Sequence, residues 1–212
     1  MRLRAASAGL ALALGALAVA PVAPARAEEP RSIGLVDKVQ GAADAVSAGR
    51  MRDLAGQDPI WFGDRLRTGE DSRLAVQLDD ETRLTLGEKA TLTVDRFVYN
   101  PERGAGTLAL KVARGAFLFV GGKVEAAQGA RVSITTASAT LGVRGTTVWG
   151  GPLDGGFGVF VAEGRVTVRA RRGTVTLTRG QGTLIDGNGR PDGVTTWGQP
   201  RIQRALATVA IP

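Results

Sequence analysis

The stretch "RLAVQLDDETRLTL" at residues 73–86 contains two runs of alternating apolar and polar residues, separated by an acidic segment. In the first run, Leu74, Val76 and Leu78 fall on one side of an extended chain. Alternation with a period of two is typical of a strand that buries one face. The acidic segment suits a turn, so the stretch predicts a β-hairpin. Because Asp80 is not followed by glycine, we expect a turn longer than two residues or one of type I.

The same alternation recurs along the rest of the chain. Further runs of this kind occupy residues 91–94, 107–112, 131–134, 165–170 and 174–177. Successive runs begin about eight to twelve residues apart, and glycines fall mostly between them, where turns need a positive φ. The fold class predicted is therefore all-β. This spacing fits a sandwich, a barrel or a β-solenoid, and the periodicity does not choose among them.

The N-terminal segment has the pattern of an export signal. Arg2 and Arg4 precede an apolar run at residues 5–20, and a small-x-small pattern then ends at Ala27. These are the three parts of a cleavable signal peptide. We therefore expect residues 1–27 to be removed, leaving a protein in the periplasm or cell exterior with no integral membrane span.

The C-terminal tail differs from the strand-rich part. We expect an all-β domain over residues 28–187 and a tail over residues 188–212, which begins as a loop. Pro200 suits the first turn of a helix. The residues that would share one face of that helix are Ile202, Ala205, Leu206 and Val209. Such a short helix would cap the β-structure or dock on a partner, and the cap is the simpler interpretation.

The composition argues against an enzyme. The sequence contains neither cysteine nor histidine, which excludes disulfides, Ser-His and Cys-His catalysis, and most zinc, copper and haem sites. The carboxylates of residues 70–71 and 79–81 lie in predicted turns, where acidic residues are common, and no patterned calcium loop is present. We expect no catalytic residue, no metal and no cofactor.

The basic residues are mostly scattered. The net charge of the whole chain is +7, and part of it belongs to the predicted signal peptide. Arg165, Arg169 and Arg171 share one face of a predicted strand. No aromatic residue accompanies them, so nucleic acid is not an expected partner. A solvated strand face is the simpler interpretation. Contact with an acidic partner, a lipid headgroup or a sugar acid is the alternative.

An arginine interrupts the apolar stretch "TLGVRGTTVWG" at residues 140–150. Gly145 follows Arg144 and suggests a β-bulge or the close approach of another backbone. An arginine in a bulge can donate to nearby carbonyls or pair with a carboxylate. We therefore expect Arg144 to have a structural role.

Five segments together resemble the FecR-type periplasmic domain family. They are "GLVDKVQGAADAV" (34–46), "GDRLRTGEDSRLAVQLDDETRLTLGEKATLTV" (63–94), "ITTASATLGVRGTTVWG" (134–150), "VAEGRVTVR" (161–169) and "LTRGQGTLI" (177–185). The residues that carry the family motifs, for which a structural role is expected, are Gly63, Asp64, Thr68, Gly69, Arg144, Gly145, Thr146, Glu163, Gly164, Gly180 and Gln181.

The resemblance implies a solenoid-like fold. We therefore expect a β-solenoid (β-helix-like) domain, with a β-sandwich as the alternative. Stacked rungs would bury one continuous interior. The residues expected in that interior are Leu74, Val76, Leu84, Leu92, Leu108, Leu110, Val166, Val168, Val175 and Leu177.

The resemblance also implies a function in binding envelope proteins. The family's best-known members are iron-uptake regulators with a cytoplasmic anti-sigma segment and a transmembrane helix. This sequence has a predicted signal peptide in their place, so we expect an exported member without the anti-sigma role. The function predicted is a non-catalytic interaction module in signalling or as a scaffold, with Arg165, Arg169 and Arg171 as candidate partner-facing residues. The alternative is a carbohydrate- or other ligand-binding domain, for which the aromatic candidates are Trp61, Tyr99, Trp149 and Trp197.

Overall fold

The computed structural model describes residues 31–100, 105–126 and 129–212. The predicted signal peptide lies outside these ranges. The strands are β1 (Ser32–Gln40), β2 (Ala43–Ser47), β3 (Arg50–Asp53), β4 (Pro59–Trp61), β5 (Arg65–Thr68), β6 (Arg73–Leu78), β7 (Arg83–Leu86), β8 (Thr91–Asn100), β9 (Ala105–Arg114), β10 (Phe117–Val120), β11 (Arg131–Thr136), β12 (Ala139–Leu153), β13 (Gly156–Ala170), β14 (Gly173–Thr178), β15 (Gln181–Ile185) and β16 (Thr195–Thr196). The helices are α1 (Lys123–Ala126) and α2 (Gln199–Ala207).

All of these strands belong to one hydrogen-bonded sheet. Its main path has the order β3-β2-β5-β8-β9-β11-β12-β10-β7-β6-β1-β4. Strand β13 leaves this path beside β12 and pairs with β14 and β15, and β16 pairs with β15. Among the described pairs, β9 with β11 is parallel and the others are antiparallel.

The all-β prediction is confirmed, whereas the β-solenoid is not the arrangement observed. Chain neighbours such as β6 and β7, β8 and β9, or β12 and β13 pair as antiparallel hairpins. A solenoid would instead stack successive rungs in parallel. The sheet curls into an open half-barrel, and because it is one sheet it is also not a sandwich of two separate sheets. Alternating runs predict strands, but they carry no information on which strands pair.

The concave face of the sheet encloses the main core. Alternate residues of the strands bury their side chains there, as the hairpin at residues 73–86 predicts. All the predicted interior residues are buried in this core except Val175, which is partly buried and packs against it. Phe117 and Phe119 of β10 are among the largest fully buried side chains.

A second, smaller core lies under helix α2. Trp149, Phe160 and Trp197 pack together, with ring centroids 6.1 Å apart for the tryptophan pair and 5.4 Å apart for Phe160 and Trp197. Ala205 and Val209 complete this cluster, and Trp149 Nε1 donates to Thr208 Oγ1 at 3.0 Å. The helix after Pro200 is therefore present as predicted. It covers a face of the β12–β13 pair, which explains why both tryptophans are buried.

Candidate interaction surface

The first family motif builds an ion pair between a fully buried aspartate and a partly buried arginine. Asp64 is fully buried, and Arg52 reaches it with two hydrogen bonds, Nη1 to Oδ1 at 3.1 Å and Nη2 to Oδ2 at 2.6 Å. Oδ2 also accepts the backbone N–H of Trp61 at 2.8 Å, and the Arg52 guanidinium lies 3.9 Å from the centre of the Trp61 ring. The φ of +82° at Gly63 allows the turn that places Asp64. Arg52 is not predictable from the sequence as the partner of Asp64, since nothing in its spacing marks it.

The same motif ends in a threonine that joins two turns. The buried Thr68 hydroxyl donates to the carbonyl of Gly87 at 2.6 Å and accepts the backbone N–H of Ala90 at 2.9 Å. The backbone N–H of Gly69 donates to the carbonyl of Ala42 at 2.9 Å. These contacts hold together three turns: the one between β5 and β6, the one between β7 and β8, and the one between β1 and β2. Both residues therefore serve the backbone and offer no free group to a ligand.

Asp80 organises the hairpin turn and the segment that follows β10. Its buried carboxylate accepts the N–H and the hydroxyl of Thr82, and also the N–H of Val124 at the start of α1. The Asp80 carbonyl accepts the N–H of Lys123 at 2.7 Å. The Leu78 N–H donates to the Thr82 carbonyl at 2.8 Å, which encloses a turn of three residues, 79–81, and the last of them, Glu81, has a left-handed φ of +69°. The turn is thus longer than two residues, as predicted from the absence of glycine after Asp80. These hydrogen bonds tie the hairpin turn to the start of α1.

Among the described residues, Glu125 is the one carboxylate with a buried oxygen atom that lacks a hydrogen-bond partner. Its Oε2 accepts the N–H of Thr146 at 3.0 Å, whereas Oε1 is buried without a partner among the described residues. Burial raises the pKa of the Glu125 carboxyl, and the nearby Asp80 charge acts in the same direction. Glu125 is not predictable as a site residue from the sequence, because its burial depends on the fold.

The Arg144-Gly145-Thr146 motif forms the predicted bulge. The β12–β13 register shifts between Arg144 and Thr147, and Gly145 has a φ of +62°. A Cβ on Gly164, whose φ is +81°, would lie 2.0 Å from the Gly145 carbonyl oxygen. The close backbone approach predicted at Gly145 is therefore present. The Thr146 hydroxyl accepts the N–H of Arg144 at 2.9 Å and so ties the bulge together.

The bulge divides β12 into two halves with different neighbours. Residues 132–135 of β11 pair with its first half, and β10 pairs with residues 147–150. The structural role expected for the Arg144 side chain is not observed. The side chain is exposed, and its guanidinium makes no hydrogen bond or ion pair with a described residue. The backbone of the motif and Thr146 hold the bulge instead.

The last motif shapes the turn between β14 and β15. Gly180 has a φ of +79°, and its N–H donates to the carbonyl of Val161 at 2.8 Å. Gln181 Oε1 accepts both the N–H and the hydroxyl of Thr178, at 2.9 and 2.8 Å. This turn is thereby fixed to β13 on one side and to the end of β14 on the other.

An arginine row crosses three adjacent strands on the convex face of the sheet. Arg144 of β12 stands directly opposite Arg165 of β13. On the other side of β12, Val143 pairs with Val132 of β11, so the adjacent Arg131 lies beside Arg144. All three side chains are exposed, and none of the guanidinium groups bonds to a described residue. Like charges placed opposite each other destabilise a sheet. A bound anionic group would remove that repulsion.

Two more cationic side chains and several hydroxyl side chains extend this row. We call the surface formed by Lys111, Arg131, Arg144, Arg165 and Arg169 the basic face. Small hydroxyl side chains lie between these cations, and none of them hydrogen-bonds to a described residue: Thr107, Ser133, Thr135, Thr140, Thr167, Thr174 and Thr176. Strands β9, β11, β12 and β14 contain no acidic residue. Glu163 is exposed beside the bulge and has no ion pair with a described residue.

The third predicted partner-facing arginine has a different environment. Arg171 donates through Nε and Nη2 to the carbonyl of Asn188, at 3.2 and 2.7 Å. It therefore holds the C-terminal loop beside β14, and the structure does not bring it into the basic face. Arg165 and Arg169 are both exposed on that face.

Other kinds of site find little support in the described ranges. No cluster of three or more acidic side chains there has the geometry to hold a metal ion. Neither described helix is long and apolar enough to cross a membrane. Trp149 and Trp197 are buried under α2, and Trp61 is covered by Arg52, so these rings do not form an exposed row for stacking sugars.

A family model described as FecR protein matches residues 64–167. The chain contains a FecR-type domain. The matched span includes Asp64, Thr68, Asp80 and the Gly145–Gly164 bulge, so the FecR-type motifs coincide with the buried polar contacts described above. Gly180 and Gln181 lie beyond it, as do Arg169 and Arg171.

Two crystal structures from Parabacteroides distasonis ATCC 8503, each of a candidate anti-sigma factor, share the fold of this FecR-type domain. Their TM-scores are 0.54 and 0.51, each at 15% sequence identity over 67% of this chain. The chain spans less than two thirds of either structure, 63% and 64%. At this identity the similarity concerns the fold. No curated protein sequence is significantly similar to the chain.

Proposed function

We propose that this protein is a non-catalytic interaction module of the cell envelope that binds another protein during signal transduction. The FecR-type domain supports a regulatory role. The export pattern at residues 1–27 supports a periplasmic or extracellular location. The proposal does not extend to the anti-sigma activity of the similar structures, because the similarity covers only part of their length.

The observation that carries this proposal is the basic face. Its arginines are exposed, unpaired among the described residues and, at Arg144 and Arg165, directly opposed. Directly opposed arginines lower the stability of a sheet. Such a cost is expected where the residues serve binding and not folding. Complementary charge also guides the encounter with an acidic partner and excludes basic ones.

The candidates for chemistry are occupied elsewhere. Asp64 and Asp80 are buried and hydrogen-bonded to several donors each, and the chain has no histidine or cysteine to work with them. A carbohydrate-binding function is less well supported, since Trp149 and Trp197 are buried and the basic face has no aromatic platform. These features favour a protein partner and no catalysis.

The proposal is tested by affinity capture from a periplasmic extract of the source organism. The wild-type mature chain is compared with Arg165→Glu/Arg169→Glu. A charge-matched control, Arg50→Glu/Arg83→Glu, changes exposed arginines of β3 and β7 instead. We expect the wild type and the control to retain the same acidic envelope protein, and the basic-face variant to lose it. Equal capture by all three, or capture of a glycan without protein, would contradict the proposal.

A further inference from the structure

Strand β14 is an edge of the sheet without the usual protection. Among the described strands it pairs with β13 on one side and has no neighbour on the other. Edge strands are normally blunted by charge, proline or a bulge. The sequence of β14, "GTVTLT" at residues 173–178, has neither charge nor proline, and its register with β13 is regular.

The backbone groups of β14 that face outward can be identified. The N–H of Thr178 donates to Gln181 Oε1 and therefore points away from β13. In an antiparallel pair the direction alternates along the strand, so the N–H and carbonyl groups of Thr174 and Thr176 point the same way. Neither residue's backbone bonds to a described residue on that side. The ends are covered, by Gln181 at Thr178 and by the Gly189 carbonyl at Arg172.

We propose that the free edge of β14 accepts an extended, acidic segment of the partner protein as an additional strand. This inference rests on the proposed function and names how the partner is held. Strand addition satisfies the exposed backbone groups of Thr174 and Thr176 and requires no special side-chain motif.

The neighbouring side chains determine what kind of segment fits. On the convex face, the added strand lies about 10 Å from β13, two strand spacings away, where Arg165 and Arg169 stand opposite Thr178 and Thr174. Arg172 and Arg179 flank the two ends of β14. On the concave face, the added strand lies beside the partly buried Val175. The segment therefore alternates acidic and apolar residues.

A second copy of this chain is a poorer occupant. Pairing two β14 strands would bring two basic faces into one continuous sheet, with arginines of both copies on the same side. Like charges repel across such a surface. An acidic segment instead neutralises it, so we commit to the acidic segment.

The test uses a short acetylated and amidated peptide that alternates glutamate and valine. It is added to the mature chain, and backbone amide exchange is followed by NMR. We expect the exchange of the Thr174 and Thr176 amides to slow by about tenfold or more, because strand addition hydrogen-bonds them. The same peptide with lysine in place of glutamate should bind at least about tenfold more weakly.

Two variants and one modified peptide separate backbone pairing from charge. Thr176→Pro removes an outward N–H at a position where an edge strand tolerates proline, and it should weaken binding about tenfold. Thr176→Val keeps the N–H and should bind as the wild type does. If Thr176→Pro does not fold, methylation of alternate amides of the peptide tests the same hydrogen bonds.

Each result is decisive for this inference. Slowed exchange at Thr174 and Thr176, lost with Thr176→Pro or with the methylated peptide, supports it. Equal binding by both peptide charges, slowed exchange elsewhere, or concentration-dependent dimers protected at these amides would overturn it. If the captured envelope protein still binds Thr176→Pro but not Arg165→Glu/Arg169→Glu, the proposed function stands and strand addition falls.

Discussion

Replacing Gly164 by alanine tests whether the paired glycines of the bulge control the longest strand pair. Gly164 has a φ of +81°, and a Cβ there would lie 2.0 Å from the Gly145 carbonyl oxygen and 2.9 Å from that of Arg144. Gly145 has a φ of +62°, but nothing lies within 4 Å of its Cβ position. Gly145→Ala is therefore a matched control, with the backbone strain and without the collision.

The two substitutions should differ clearly in cost. Each alanine incurs about 1 kcal/mol for the left-handed conformation. At Gly164 the two backbones must also separate, because Cβ contacts below 3.0 Å essentially do not occur. Displacing packed backbone adds about 2–3 kcal/mol. We thus expect losses in the free energy of unfolding of about 1 kcal/mol for Gly145→Ala and about 3–4 kcal/mol for Gly164→Ala.

Urea unfolding measures this difference directly. The fluorescence of Trp149 and Trp197 reports the transition, since both are buried beside the β12–β13 pair. The midpoint should shift far more for Gly164→Ala, with similar slopes for both variants. Equal losses for the two variants would refute the reasoning that backbone approach at the bulge stabilises the sheet.

Three further substitutions test the buried polar contacts. Asp64→Ala should lower the free energy of unfolding by about 3 kcal/mol, because it removes the carboxylate that pairs with the Arg52 guanidinium and accepts the Trp61 N–H; a loss below about 1 kcal/mol in urea unfolding would contradict this. Thr68→Val should lower the free energy of unfolding by about 2 kcal/mol, because the Gly87 carbonyl and the Ala90 N–H lose their buried partner. Thr167→Val on the convex face should be nearly neutral. Glu125→Gln concerns pH. The raised pKa of the Glu125 carboxyl means that the wild type loses stability as the pH rises above the ordinary value of 4.5, and the glutamine variant does not. In thermal melts at a series of pH values, the difference in melting temperature between the two proteins should therefore grow as the pH rises above 4.5. A constant difference would show that burial of this carboxyl is not coupled to folding.

Local features of the fold could be predicted from the sequence. Alternation in the stretch at residues 73–86 reports which side of a strand is buried, and that property depends on nearest neighbours along the chain. The same holds for the bulge at Gly145 and for the helix after Pro200, each of which depends on one residue's backbone preference. These elements are present in the structure.

The arrangement of strands and the buried polar contacts depend on distant parts of the chain. The parallel pairing of β9 with β11 and the curl of the sheet are tertiary, so hairpin-like runs do not reveal them. Asp80 looked like an ordinary turn residue because its contact with Val124 joins segments 44 residues apart. For the same reason the exposed position of Arg144 could not be read from its apolar neighbours.

The central claim is that the buried side chains and the glycines of the FecR-type motifs build the sheet, whereas the basic face, to which the exposed Arg144 belongs, binds the partner. The affinity of the captured envelope protein for Arg165→Glu/Arg169→Glu, measured by calorimetry beside the variant's urea midpoint, tests it most directly. The account predicts an affinity at least about tenfold weaker and a midpoint no lower than that of the wild type. An unchanged affinity at an unchanged midpoint would contradict it.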